Sequence, residues 1–170
     1  MSDSRAAIPD DIDGHIERCG RTFIVTRRKD GSPTCHPMAR FYADREMYLN
    51  MYASSVKHKN LVRDPRITCL VTTDSDAPDF RAAIIRGTAR ALSPDETLAD
   101  DASPAMRLAR GIGMEGVTKV EDAPEKFAIE EPEDWLKRAA IMVERIRDGM
   151  RVLWEIVPDE VAWLDDVRGS

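Results

Sequence analysis

The densest run of chemically useful side chains is Tyr52-Ala53-Ser54-Ser55-Val56-Lys57-His58-Lys59-Asn60. Two hydroxyls and two ammonium groups stand where a strand pattern gives way to a helix pattern. The first N–H groups of a helix lack partners and its dipole favours negative charge, so this junction suits a phosphate. Serine supplies short donors and lysine a mobile point charge. A plain capped, solvated helix start is the simpler reading of the same residues, and the two roles are compatible. Further basic residues lie nearby in sequence: Arg27, Arg28 and Lys29 on one side, Arg63 and Arg66 on the other. The chain carries a net charge of −6, which argues against general nucleic-acid binding. A local basic cluster on an acidic chain points instead to a small anionic ligand.

Other candidates are weaker. Tyr48, Tyr52 and Trp154 are able to stack on a ring, but aromatic residues in strands usually serve a core or an interface. His58, between two lysines, reads as a surface residue before it reads as a haem ligand. Cys19, Cys35 and Cys69 are odd in number and lack metal-binding spacing, which predicts free thiols, a reducing cytoplasm and no metal site. Gly111-Ile112-Gly113-Met114-Glu115-Gly116 is glycine-rich without a preceding strand, so it reads as a loop. No catalytic triad or acid pair stands out, and the catalytic residues stay unassigned.

These groups need a scaffold. Ile8–Gly20 predicts a short helix with Pro9 and three aspartates at its start and an apolar stripe of Ile12, Ile16 and Cys19. Thr22–Arg28 is a β-branched strand, and Lys29-Asp30-Gly31-Ser32 carries a strong hairpin signal. Ser32–Tyr42 returns as a strand that Pro33 and Pro37 restrict to an edge. After a turn at Ala43-Asp44-Arg45, Glu46–Tyr52 alternates. Met47, Leu49 and Met51 face a core; Tyr48, Asn50 and Tyr52 suit a pocket wall. Ser55–Arg63 is a helix stopped by Asp64-Pro65. Arg66–Thr72 and Phe80–Leu92 are strands, with Gly87 marking a bulge or a close approach. Ser93 caps a helix that Pro104 breaks or restarts. Glu131–Asp148 is the longest helix, with a broad apolar face of Trp135, Leu136, Ala139, Ala140, Met142, Val143 and Ile146. Arg151–Val157 is a strand, Pro158-Asp159 turns, and Val161–Leu164 is a last strand.

The chain has 170 residues, 42% of them apolar, enough for one domain with a core. The apolar runs fall short of the ~20 residues of a membrane helix, and the first residues do not form a secretory signal. About seven strands in hairpin-linked runs with three or four helices predict a mainly β protein, an antiparallel barrel with flanking helices. Residues 8–20 form the N-terminal helix, 22–92 the barrel strands and phosphate helix, 93–149 a helical insertion and 150–166 the closing strands.

This ordered set resembles the pyridoxamine 5′-phosphate oxidase-like group of flavin and deazaflavin oxidoreductases. The set comprises an Asp-Gly-Ser-Pro turn, a strand with His-Pro, Ser-Ser-x-Lys-x-Lys-Asn-Leu, Arg-Asp-Pro-Arg and a long strand with Arg-Gly-Thr-Ala. The resemblance implies a Greek-key FMN-binding split barrel and a homodimer with cofactors at the subunit interface. It implies hydride transfer between FMN, or the deazaflavin coenzyme F-420, and a small organic substrate. Ser54, Ser55, Lys57, Lys59 and Asn60 would surround the phosphate. His36, Pro37 and Met38 would offer backbone beside the ring; Arg40 would be a basic phosphate contact, and Asn50 and Met51 would lie at the cofactor's edge. The authentic oxidases have an Arg-Lys pair where this sequence reads Val56-Lys57, and their substrate-phosphate residues near the C-terminus have no match here. A carrier of flavin or haem without turnover is the alternative from another functional class.

Overall fold

The computed structural model describes residues 5–19, 21–73, 81–110 and 132–164, with backbone alone for 132–139. The helices are α1 (Asp10–Arg18), α2 (Val56–Arg63), α3 (Pro94–Leu98), α4 (Pro104–Ala109) and α5 (Pro132–Arg147). The strands are β1 (Arg21–Arg27), β2 (Pro33–Met38), β3 (Arg40–Ala43), β4 (Glu46–Tyr52), β5 (Arg66–Thr72), β6 (Ala82–Ala91) and β7 (Arg151–Trp163).

All pairings are antiparallel, in the order β2-β1-β5-β6-β7-β4-β3. β2 and β3 are therefore the two edges of the sheet, yet only Ala39 separates them in sequence. Consecutive Cα atoms lie about 3.8 Å apart, so the sheet has to curl until its edges nearly meet. The result is a mainly β, curled half-barrel of the split-barrel type, as the sequence predicts. The single strand expected over 32–42 is two strands because the chain leaves one edge and joins the other at Ala39. Both hairpin turns are where the sequence places them. Gly31 has φ +84°, and Asp44 and Arg45 have φ +51° and +63°, the paired left-handed angles that suit a two-residue turn between twisted strands.

Pro158 does not turn the chain. β7 runs through it for 13 residues. Opposite Pro158 stands Gly87, at a register shift between Arg86 and Gly87. A Cβ on Gly87 would lie 2.1 Å from the Val157 carbonyl oxygen, so the bulge exists only because that position has no side chain. The expected bulge is present, and it removes the expected turn. A proline lacks the N–H that a regular ladder uses, and a bulge is where that loss is tolerated.

Alternate residues of the strands fill the barrel. Ile24, Leu49, Met51, Cys69, Ile85, Trp154 and Ile156 are all buried in one cluster. Ile12 and Ile16 of α1 join it and plug one end. Each fully buried aliphatic side chain contributes roughly 1.5–3 kcal/mol, which makes that short helix part of the core. Its C-terminal carbonyls, at Ile16 and Cys19, accept from the Arg40 guanidinium, which also donates to Thr22 Oγ1 at 3.1 Å.

A second cluster lies outside the barrel. Tyr48 and Leu153 pack with Leu92, Ala105, Ala109 and Ile146 under α4 and α5. Ser93 and Ser103 cap α3 and α4, each followed by proline. The expected break at Pro104 is therefore a restart. α5 closes before Gly149, whose φ is +68°. The side chains of Trp135, Leu136 and Ala139, and the stretch Gly111–Gly116, lie outside the described residues. Among the described residues no helix is long and apolar enough to cross a membrane.

Candidate functional site

α2 begins as its sequence dictates. Ser55 is the N-cap, and its Oγ accepts from the His58 N–H at 3.3 Å. The first turn holds no acidic residue, so no side chain of α2 itself neutralises the positive end of the dipole. Ser54 is exposed, Ser55 and Lys57 are half-buried, and Lys59 is exposed. Burial first, then repulsion from Arg151, lowers the pKa of the Lys57 ammonium.

Asn60 fixes the helix to the barrel. It is 4% exposed; its Nδ2 donates to Thr26 Oγ1 of β1 at 3.0 Å and its Oδ1 accepts from Arg63 at 2.9 Å. Asn60 thus anchors α2 to β1 and spends its amide there. At the same end of α2, Arg63 donates to the Arg27 carbonyl oxygen at 2.6 Å. Arg66 is neutralised by Asp64 at 2.7 Å, and its hydrogen bonds hold the Asp64 carboxyl down at about 2. Neither arginine faces the first turn of α2.

Two cations that sequence reasoning did not single out gather on Tyr52, where β4 leads towards α2. Arg151 opens β7 directly opposite Tyr52 of β4. Its guanidinium lies 3.6 Å from the centroid of the Tyr52 ring and donates to Asn50 Oδ1 at 3.3 Å. Arg145, in the last turn of α5, donates to the Tyr52 hydroxyl at 3.2 Å. Arg151, through a side-chain hydrogen bond and its charge, and Arg145 pull the Tyr52 phenol below its usual pKa. Among the described residues Lys57, Arg145 and Arg151 have no carboxylate partner. A pair of arginines therefore gathers on Tyr52, and the charge of one of them, Arg151, reaches Lys57 of α2. No local pattern announces it, because β7 reaches Tyr52 only through the sheet register.

The remaining expected residues sit elsewhere. Asn50 and Tyr48 are buried under α4 and α5 and do not form an open pocket wall, because the helices cover that face of β4. The Asn50 amide donates to the Ala109 carbonyl oxygen at 3.1 Å and to Met142 Sδ at 3.2 Å. Met51 is 1% exposed in the barrel core. Arg40 is held on the last carbonyls of α1, as described above, and its burial lowers its pKa. His36 faces the same side of the sheet as its partner Ile24, with Nε2 3.3 Å from Thr34 Oγ1. Pro37 and Met38 line a cleft of about 400 Å³ with Arg21, Thr22, Phe23 and Ala39. That cleft is at the end of β1 opposite the Thr26 and Arg27 anchors of α2. His58 is half-buried. Its ring packs edge-on against Trp154, 5.5 Å between centroids, and its Nδ1 is enclosed without a partner. Burial, then the charge of Lys59, lowers its pKa. Among the described residues no group of three or more metal-ligating side chains gathers, and Cys19, Cys35 and Cys69 form no disulfide there.

Comparison with known proteins places this geometry. The family model described as pyridoxamine 5′-phosphate oxidase matches residues 8–164. No curated protein matches the chain. Among solved structures, a conserved hypothetical protein of Mycobacterium tuberculosis aligns at 21% identity and TM-score 0.62, over 98% of this chain and 95% of its own. A structure described as F420 reductase aligns at 20% identity and TM-score 0.56, over 91% and 98%. A haem-binding protein of Mycobacterium smegmatis aligns at 13% identity and TM-score 0.58, over 96% of this chain and 57% of its own. At these identities the likeness is one of fold.

Proposed function

The chain belongs to the pyridoxamine 5′-phosphate oxidase family, and on that premise we propose that it is an oxidoreductase dependent on FMN or on coenzyme F-420. It moves a hydride between the cofactor and a small organic molecule. The observation that carries this reading is the start of α2, where Ser54, Ser55, Lys57 and Lys59 gather and the first turn holds no acidic residue. The donors present fit a phosphate: two serine hydroxyls, the Lys57 and Lys59 ammonium groups, and N–H groups at a helix start without acidic neighbours. His36, Pro37 and Met38 lie on the edge strand, where backbone groups are not all spent on a ladder. The bound flavin or deazaflavin supplies the electron chemistry, and this chain contributes position, charge and exclusion of water.

The same reading includes a homodimer with the cofactors at its interface. Pro37, Phe23, Leu70, Ile84 and Ala162 stand in register across β2, β1, β5, β6 and β7. This row faces away from the barrel core and is apolar from end to end. Phe23, Leu70 and Ile84 are only half-buried there. Five strands at about 4.8 Å spacing make a face roughly 19 Å wide, apolar surface of the kind that a second subunit covers.

Titration of the apo protein with FMN and with F-420 tests the function. Lys57→Ala with Lys59→Ala should weaken binding at least about tenfold, since charge-assisted hydrogen bonds contribute roughly 1.5–3 kcal/mol each. Unchanged titration curves would reject the phosphate assignment. The haem-binding protein on the same fold favours a second reading, a carrier without turnover. A bound chromophore that no donor or acceptor ever changes would establish that reading.

A further inference from the structure

α1 and α2 stand at opposite ends of β1, and each sets a histidine edge-on against a tryptophan of β7. His15 packs on Trp163 with 4.8 Å between centroids, and His58 packs on Trp154 with 5.5 Å. The two pairs are not equivalent. His15 Nε2 lies 3.2 Å from the Val71 carbonyl oxygen, which gives that ring a polar partner. His58 Nδ1 is enclosed and has no partner among the described residues, and the same holds for Trp154 Nε1. Trp154 is 3% exposed and belongs to the barrel core. Ring packing therefore seats His58 on the core without a side-chain hydrogen bond.

A neutral imidazole suits that seat. Protonation adds a charge and leaves an N–H where nothing accepts it, and an unpaired buried charge costs more than an unpaired neutral group. No carboxylate offsets that cost. The charged groups of α2 are Lys57, Lys59 and Arg63; β1 brings Arg27 to this end and β7 brings Arg151. Glu155, next to Trp154 on β7, is bonded to Arg5 and Arg90, and Asp64, past the end of α2, to Arg66. Burial and then Lys59 accordingly hold the His58 pKa below its ordinary 6.5. The anchors further along α2 do not titrate in this range: the Asn60 amide on Thr26 and Leu61 in the core. The first turn hangs on Ser55, whose Oγ accepts from the His58 N–H at 3.3 Å and whose carbonyl oxygen accepts from the Lys59 N–H at 3.1 Å.

We propose that His58 on Trp154 is a proton-operated latch that holds the first turn of α2 against the barrel. With His58 neutral the turn is closed. In acid the charged ring leaves its seat, and the turn opens about the Asn60 and Leu61 anchors. A histidine whose folded-state pKa is depressed stabilises the closed form fully above the ordinary value. That stability is lost as pH falls from 6.5 towards the folded value. The turn carries Ser55, Lys57 and Lys59, so, resting on the reading above that it holds a phosphate, the latch sets how fast a phosphate-bearing molecule leaves.

The test measures backbone amide exchange by NMR between about pH 7.5 and 5 in wild type and in His58→Phe, which keeps a ring on Trp154 and takes up no proton. Wild-type protection factors of the His58 and Lys59 amides should fall roughly tenfold per pH unit below 6.5 until the folded pKa is reached. They should stay about tenfold or more below those of Leu49 and Ile85 in the barrel strands, the mark of a local opening. The Asp64 amide, bonded to the Asn60 carbonyl oxygen at 2.8 Å in the anchored turn, should not follow them. In the variant the fall should vanish at residue 59; His58→Gln serves the same purpose if the phenylalanine packs poorly. The release rate of bound FMN should be equal in wild type and His58→Phe at about pH 7.5, and roughly tenfold faster in wild type one pH unit below 6.5. Comparison with the variant cancels the titration of the phosphate itself, whose second pKa is about 6. Flat protection factors, a fall that survives in both variants, a parallel fall at Asp64, first-turn protection equal to that of the strands, or equal release rates in acid would overturn the proposal. If neither FMN nor F-420 binds wild type, the proposed function fails, and amide exchange still decides the latch.

Discussion

Asn60→Ala should loosen the hold of α2 on the barrel while leaving its apolar anchor, Leu61, in the core. Asn60 is 4% exposed and Thr26 1%, and the bond between them, Nδ2 to Oγ1 at 3.0 Å, crosses from helix to strand. Removing the amide loses this neutral bond, about 1 kcal/mol net. It also leaves the Thr26 hydroxyl buried without its partner, at roughly 1–3 kcal/mol. The bond from Arg63 to Asn60 Oδ1 adds little, since Arg63 is exposed and water replaces the acceptor. The expected loss is about 2–4 kcal/mol, measured by urea unfolding with an unchanged m-value. A double-mutant cycle with Thr26→Val isolates the bond. Removing both polar groups should cost clearly less than the sum of the single changes, by about 1 kcal/mol or more. Strict additivity, or a loss under about 1 kcal/mol for Asn60→Ala, would refute the claim that this amide helps to hold α2 on the barrel.

Gly87→Ala should destabilise by about 1–3 kcal/mol or more, because the added Cβ meets the Val157 carbonyl oxygen at 2.1 Å; an unfolding midpoint like wild type would show that β6 and β7 adapt freely. Glu96 has its carboxylate pKa lowered from 4.5 to about 2, first by the Ser93 backbone N–H and then by Arg90. A depressed folded-state pKa contributes stability above the unfolded value and loses it as pH falls from about 4.5 towards about 2. Glu96→Gln should flatten that part of the stability–pH curve, and an unaltered slope would dismiss the capping box as its source. Leu70→Arg places a charge in the middle of the apolar row on β1, β5 and β6 and should convert a dimer to monomer by sedimentation; an intact dimer would move the interface elsewhere.

Much of this protein is written locally. The Ser55 cap with its lysines, the Asp30-Gly31 turn and the Gly87 bulge each depend on a few adjacent residues, so the sequence alone places them. Pro33 and Pro37 likewise mark β2 as an edge, since they cannot donate to a second neighbour. Sheet closure is not local. That β3 forms the opposite edge from β2 follows from the curl of seven strands, and no residue near Ala39 encodes it. Pro158 shows tertiary context overriding a local rule, because a glycine on β6 gives it a place in a continuous strand. The sequence supplies the basic start of α2. The contact of Arg145 with Tyr52 joins residues 93 apart in the chain. Electrostatic neighbours are set by register and helix packing, distances that a linear pattern does not contain.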